Sequence, residues 1–155
     1  MSLQYRIIGL GDLAQAQKLL EAGYSESASM AKQYSLDVNW QQYQRFADAG
    51  LLHICGCFDR TTLVGFVAIT KLMELWGLGG FTADVVAVYL YPTFRKGMNG
   101  YRLIRYAEKL ALAVDCKEIR FSVSRRSKNH LGKSRANLFA SLGYQFREAV
   151  FVKGL

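Results

Sequence analysis

The stretch from Val86 to Tyr101, VAVYLYPTFRKGMNGY, carries the residue types and spacing best suited to chemistry in this chain. An apolar run ends at Pro92, a short loop holds Arg95, Lys96, Gly97, Met98, Asn99 and Gly100, and an amphipathic run follows to Val114. A loop whose backbone amides open into a helix start is a site for anionic phosphate oxygens, because those amides lack helical partners and their dipoles align. Charge points the same way. Residues 1–90 carry 6 Lys+Arg against 8 Asp+Glu, whereas residues 91–155 carry 14 against 4, within a net charge of +8. Such a field favours a phosphorylated cofactor or nucleic acid, although a soluble basic surface alone accounts for most such balances.

Two further clusters are weaker. His53, Cys55 and Cys57 alternate and could share one face of a strand. Residues two apart on a strand sit about 6.6 Å apart, while zinc ligands must lie within about 2.3 Å of the ion. No second cluster completes the sphere, so these residues read as packing and no metal is expected. Gly9, Gly11 and Ala14 imitate a dinucleotide fingerprint, but the following SESASMAKQYS segment is polar where a second strand ending in an acid is needed.

The elements that must position the loop follow from periodicity and punctuation. Gln4 to Ile8 reads as a strand, and Asp12 as the N-cap of a helix with Leu13, Ala16, Leu19 and Leu20 on one face. Tyr24 to Ser35 reads as a loop with room for a short helical turn, Asn39 to Ala49 as a helix stopped by Gly50, and Leu51 to Phe58 as a strand. Asp59 to Thr62 is a turn into the strand Leu63 to Leu72. Trp76 to Gly80 connects to the strand Thr82 to Tyr91. Past the loop, Leu103, Ile104, Ala107, Leu110, Ala111 and Val114 form the apolar stripe of a helix. Glu118 to Val123 is then a parallel crossover strand. The polar, basic Ser124 to Arg135 leads to a helix near Ser134 to Leu142, ended by Gly143, and a last strand from Tyr144 to Val152. The fold class is therefore α/β: a mixed, mostly antiparallel central sheet with flanking helices.

At 155 residues, 51% apolar and 21% charged, the chain is expected to form one domain over residues 1–155 and not to be disordered. No apolar run reaches the roughly 18 residues of a spanning helix, so no membrane partner is expected. Three cysteines without a disulfide framework, and no signal peptide, point to the cytoplasm.

This order of elements, with three motifs, resembles the GCN5-related N-acetyltransferase (GNAT) superfamily over nearly the whole chain, most specifically from Asp84 to Tyr144. Leu90 to Gly100 is similar to the family's strand, proline turn and phosphate loop, in which Arg or Gln precedes x-x-Gly-x-Gly/Ala. Arg95 and Gly100 match its ends; Met98 stands at the middle glycine and Gly97 one position early. Leu138 to Tyr144 is similar to the family's Tyr-x-x-Leu-Gly-Phe helix end, with Phe139 at the tyrosine that protonates the leaving thiolate in many members. The tail Glu148 to Leu155 resembles the closing strand of small members, phage-borne ones included.

The resemblance implies the acyl-CoA N-acyltransferase fold and transfer of an acetyl group from acetyl-CoA to a primary amine, on a small molecule or a protein. It implies phosphates held by Arg95, Lys96, Gly97, Met98, Asn99 and Gly100, and pantetheine along the backbone of Leu90 and Tyr91. A strand amide would polarise the thioester oxygen. Asp84 is implied as the base that deprotonates the amine, with Glu74 as second candidate, and Asn129 as a further CoA contact. Arg125, Arg126, Lys128, Lys133 and Arg135 would hold the 3′-phosphate or form a solvated basic loop. The acceptor would enter between the first two helices and the Trp76–Gly80 loop, where the slightly acidic N-terminal half suits a cationic amine. Phe139 and Met98 keep open an inactive CoA- or protein-binding member of the fold, and a homodimer also stays open. Zinc-finger spacing and RNA-recognition aromatics are lacking, which argues against nucleic acid.

Overall fold

A computed structural model describes residues 3–26, 36–74, 79–122 and 139–145. The chain divides into two compact units, residues 1–121 and 122–155. The first contains β1 (Gln4–Ile7), a 3-10 turn (Leu10–Asp12), α1 (Leu13–Glu26), α2 (Trp40–Asp48), β2 (Leu52–Asp59), β3 (Thr62–Glu74), β4 (Gly80–Leu90), a second 3-10 turn (Pro92–Phe94), α3 (Asn99–Ala113) and β5 (Cys116–Phe121). The strands form one sheet in the order β1-β2-β3-β4-β5. The first three pairings are antiparallel and β4–β5 is parallel. This is the mixed sheet expected from the sequence, with α3 as the crossover a parallel pair requires.

The two-residue period of β3 builds a core on each face of the sheet. Val67 and Ile69 join Cys55, Cys57, Ala83, Leu103 and Ala107 on the α3 side. Phe66 and Ala68 join Ile8, Ala16, Leu19 and Phe58 on the α1 side. Cys55 and Cys57 thus take the packing role read from their alternation, and burial pushes both thiols up, Cys55 to about 12. His53 Nε2 lies 3.0 Å from the Gly50 carbonyl. At Gly65 the strands approach closely: a Cβ there would lie 2.6 Å from Leu90 Cδ1 and 2.8 Å from the Tyr89 carbonyl oxygen.

Several boundaries differ from the sequence reading for local reasons. Asp12 is not the N-cap of α1. It ends the 3-10 turn, where its carboxylate accepts from the Gly9 amide at 2.9 Å and from two Arg6 nitrogens at 2.6 and 2.8 Å. The Arg6 hydrogen bonds hold the Asp12 carboxyl below the usual range, against a smaller opposing effect of burial. α1 runs on to Glu26, through the segment read as loop from Tyr24. α2 starts one residue later than read, because Asn39 is its N-cap, Oδ1 accepting from the Gln42 amide at 2.9 Å; Gly50 stops it as expected, at φ 68°. β3 extends two residues past Leu72, and β4 begins at Gly80 and ends at Leu90. β5 lies earlier than Glu118–Val123, at Cys116–Phe121.

In the second unit, Phe139 to Ser141 are helical and Gly143 follows at φ 87°, matching the expected helix end. The amides of Leu142 and Tyr144 both donate to the Phe139 carbonyl at 3.0 Å. The Phe139 and Tyr144 rings meet edge to face at 5.3 Å. The strand expected over Tyr144 to Val152 lies outside the described residues from 146 onward.

Candidate active site

β4 organises the candidate site, and it does so through its backbone. Opposite β3 the register steps from Ala87↔Ala68 to Val85↔Ile69, leaving Val86 as an extra residue, a β-bulge. The insertion reverses which residues face which side. Before it, Ala83 and Val85 face α3; after it, Leu90 does, while Ala87 and Tyr89 pack with the α1 layer and Tyr91 touches both cores. By the same alternation Asp84 shares the α1 face with Thr82 and, across the bulge, with Ala87. Asp84 is half-buried, between Thr70 of β3 and Arg120 of β5 in register.

The bulge coincides with the end of the β5 pairing. Among the described residues β5 accompanies β4 from Phe81 to Val85, and Val86 to Leu90 pairs only with β3. This open edge is about 14 Å long at 3.4 Å per residue. Val86 and Val88 are both half exposed along it. The Tyr91 amide donates to the Val64 carbonyl at 3.0 Å, toward β3. Adjacent residues direct their backbone groups to opposite sides, so those of Leu90 and Val88 turn to the open edge. One is already occupied: Arg95 Nε donates to the Leu90 carbonyl at 2.7 Å.

Beyond Leu90 the chain turns at Pro92–Phe94 and reaches the start of α3. The left-handed position of the loop is Gly97, at φ 69°. Met98 follows at φ −95° with its side chain 56% exposed, so the loop reverses direction without a glycine at Met98. Asn99 is committed to the loop itself, its Nδ2 donating to the Phe94 carbonyl at 3.1 Å. The first helical bond of α3 runs from the Arg102 amide to the Met98 carbonyl at 2.9 Å, and Met98 supplies no side-chain cap. The amides of Asn99, Gly100 and Tyr101 are therefore the orphan donors of a helix start. A Cβ on Gly100 would meet nothing within 4 Å outside its chain neighbours and its own helix backbone, so the helix start is uncrowded at Gly100. Lys96 is exposed beside them.

Arg95 points elsewhere. Its Nη2 pairs with Glu26 Oε2 at 2.6 Å, and its guanidinium lies 5.2 Å from the centroid of the Tyr89 ring. Tyr89 donates its hydroxyl to Glu26 Oε1 at 2.6 Å, and burial followed by this carboxylate pushes the phenol up to about 12. Sequence reasoning missed Glu26, Tyr89 and the Val86 bulge. Only the aromatic Tyr89 between two apolar residues was even a weak signal.

The structure thus brings Asp84, Leu90, Tyr91, Arg95, Lys96, Gly97, Met98, Asn99 and Gly100 onto one strand, turn and helix start. Asn129 and the basic cluster Arg125, Arg126, Lys128, Lys133 and Arg135 lie outside the described residues, as do residues 75–78 of the expected acceptor loop. Glu74 closes β3 opposite Gly80, and its side chain is likewise outside them. Among the described residues no helix is long and apolar enough to cross a membrane.

Known proteins share the family pattern and the fold. The sequence pattern of the acetyltransferase (GNAT) family matches residues 13–143. Three solved structures illustrate the likeness in fold. A GNAT family acetyltransferase from Staphylococcus aureus is 19% identical, with a TM-score of 0.73 and full coverage of both chains. A ribosomal-protein-alanine N-acetyltransferase from Brucella melitensis biovar Abortus is 17% identical, with a TM-score of 0.73 and full coverage of both chains. AAC(6′)-Iy in complex with the bisubstrate analogue CoA-S-monomethyl-acetylneamine is 13% identical, with a TM-score of 0.77, covering 100% of this chain and 99% of that one. No curated protein sequence matches the chain significantly.

Proposed function

The chain belongs to the GNAT acetyltransferase family, and from that premise we propose that it transfers an acetyl group from acetyl-CoA to a primary amine, as one domain. The observation that carries the proposal is the continuity of the open Val86–Leu90 edge with the uncapped start of α3. A cofactor with an amide-bearing arm and a pyrophosphate needs that sequence of groups: strand backbone for the arm, then orphan amides for the anion. The amides of Asn99, Gly100 and Tyr101 would hold phosphate oxygens, with Lys96 adding charge. Val88 and Leu90 would pair with the pantetheine amides. A backbone amide at the Val86 bulge would polarise the thioester oxygen, since an unpaired residue is free to aim its N–H away from the ladder.

In the reaction, the amine nitrogen attacks the thioester carbon, the C–S bond breaks and the thiolate leaves. Asp84 takes the ammonium proton, directly or through water, from the α1 face of β4. Phe139 carries no proton to give, so solvent protonates the thiolate in this proposal. A cationic acceptor suits the acidic balance of residues 1–90. One of the similar solved structures is a ribosomal-protein-alanine N-acetyltransferase and another holds a bisubstrate analogue joining CoA to acetylneamine, so the acceptor class stays at amine.

Thermal unfolding with acetyl-CoA, paired with thiol release over a panel of amines, tests the reading. Ligand at 100 times its dissociation constant stabilises by about 2.7 kcal/mol, roughly 5–11 °C for a chain of this size. No shift at millimolar acetyl-CoA sinks the proposal. A saturable shift without turnover on any amine leaves a CoA-binding member of the family instead.

A further inference from the structure

Arg95 begins the loop that, in the reading above, holds the pyrophosphate, yet its charge is spent on another group. Three contacts fix it: Glu26 Oε2 at 2.6 Å, the Leu90 carbonyl at 2.7 Å, and the Tyr89 ring at 5.2 Å. The other oxygen of Glu26 is engaged by the Tyr89 hydroxyl at 2.6 Å, so the carboxylate bridges the cation and the ring that supports it. The guanidinium therefore sits on the end of the open edge, on the very carbonyl a pantetheine amide would use.

Resting on the proposed cofactor, we propose that Glu26 sets the affinity for acetyl-CoA by holding Arg95 on the Leu90 carbonyl in the ligand-free protein. Glu26 is a positioning residue: it acts on Arg95 and touches no cofactor atom. A pyrophosphate at the start of α3 offers Arg95 two negative charges beside a helix N-terminus, against the single carboxylate of Glu26. The Arg95–Glu26 pair is about two-fifths exposed on both sides, and such solvent-screened pairs are weak. Binding thus exchanges a weak contact for a stronger one, and turning Arg95 outward also frees the Leu90 carbonyl.

Isothermal titration with acetyl-CoA tests this on four proteins: wild type, Glu26→Gln, Arg95→Ala and the double variant. Glu26→Gln should bind acetyl-CoA roughly two- to fivefold more tightly, the equivalent of an exposed pair. Arg95→Ala should bind at least about tenfold more weakly, through loss of one charged hydrogen bond. In the Arg95→Ala background, Glu26→Gln should change nothing, because Glu26 acts only through Arg95. In steady-state kinetics of Glu26→Gln, KM for acetyl-CoA should fall while kcat holds. Equal or weaker binding by Glu26→Gln, or a Glu26→Gln effect that persists without Arg95, overturns the inference and leaves the cofactor assignment standing. No binding by wild type overturns both.

Discussion

Replacing Gly100 with alanine should move stability and cofactor affinity in opposite directions. Gly100 is the second residue of α3, and a Cβ there would meet nothing within 4 Å outside its chain neighbours and its own helix backbone. In the ligand-free protein the added methyl therefore meets nothing and only reduces backbone freedom, worth roughly 0.5–1 kcal/mol in a helix. For a chain of this size that raises Tm by about 1–4 °C. The same methyl fills the space over the orphan amides. Loss of one charge-assisted hydrogen bond to phosphate costs about 1.5–3 kcal/mol, a weakening of acetyl-CoA binding by roughly 10- to 150-fold. Scanning calorimetry of the free protein and isothermal titration with acetyl-CoA read the two effects separately. Gly97→Ala is the control three residues away. Its φ of 69° is left-handed, so alanine there should destabilise the free protein by about 1–2 kcal/mol. Wild-type affinity in Gly100→Ala would remove the pyrophosphate from this helix start, and a lowered Tm would refute the open space over Gly100.

Three further outcomes are expected. Asp84→Asn should abolish most turnover while acetyl-CoA binding by titration is unchanged; unchanged turnover removes Asp84 as the base. Gly65→Ala should destabilise by about 1–3 kcal/mol in urea unfolding, because its Cβ would press on the Tyr89 carbonyl and Leu90 at 2.6–2.8 Å; a neutral effect would mean that the end of β4 yields freely. Asp12 has a folded-state carboxyl below its ordinary 3.8, so its contribution is complete at neutral pH and is lost as pH falls past that value toward the folded one. Asp12→Asn should therefore lower stability at pH 7, and flatten the acid limb of a stability–pH profile; an unchanged acid limb refutes the assignment.

What was legible in the sequence is what local chemistry fixes. The spacing of Trp40, Tyr43 and Phe46, Gly50 after the helix, and the stripe from Leu103 to Ala111 set α2 and α3 because periodicity and stop signals act over a few residues. The Asp59–Thr62 turn and the crossover helix gave the strand order for the same reason. Asp12 misled because a carboxylate before an amphipathic run satisfies the N-cap rule, and nothing local reveals that Arg6 and the Gly9 amide claim it. The Glu26–Arg95 pair spans 69 residues. No spacing rule reaches that far.

The Val86 bulge shows why a site of this kind is marked at its ends and silent in its middle. VVAVYL is apolar at every position because β4 lies inside the sheet, so the sequence carries no alternation from which a phase reversal could be read. Yet the reversal decides the geometry. Without the extra residue, strict alternation from Asp84 would put Val86, Val88 and Leu90 on the α1 face and turn Ala87, Tyr89 and Tyr91 toward α3. Tyr89 could not then reach Glu26, nor support Arg95 beside the phosphate loop. A deletion of Val86 should accordingly cost both the α1-face core and acetyl-CoA binding, whereas Val86→Ala keeps the insertion and removes only a half-exposed side chain. Near-wild-type stability and binding in Val86→Ala, with loss of both in the deletion, is the pattern that makes the backbone and not the side chain the functional element. Equal damage from the two changes would return that role to the valine side chain.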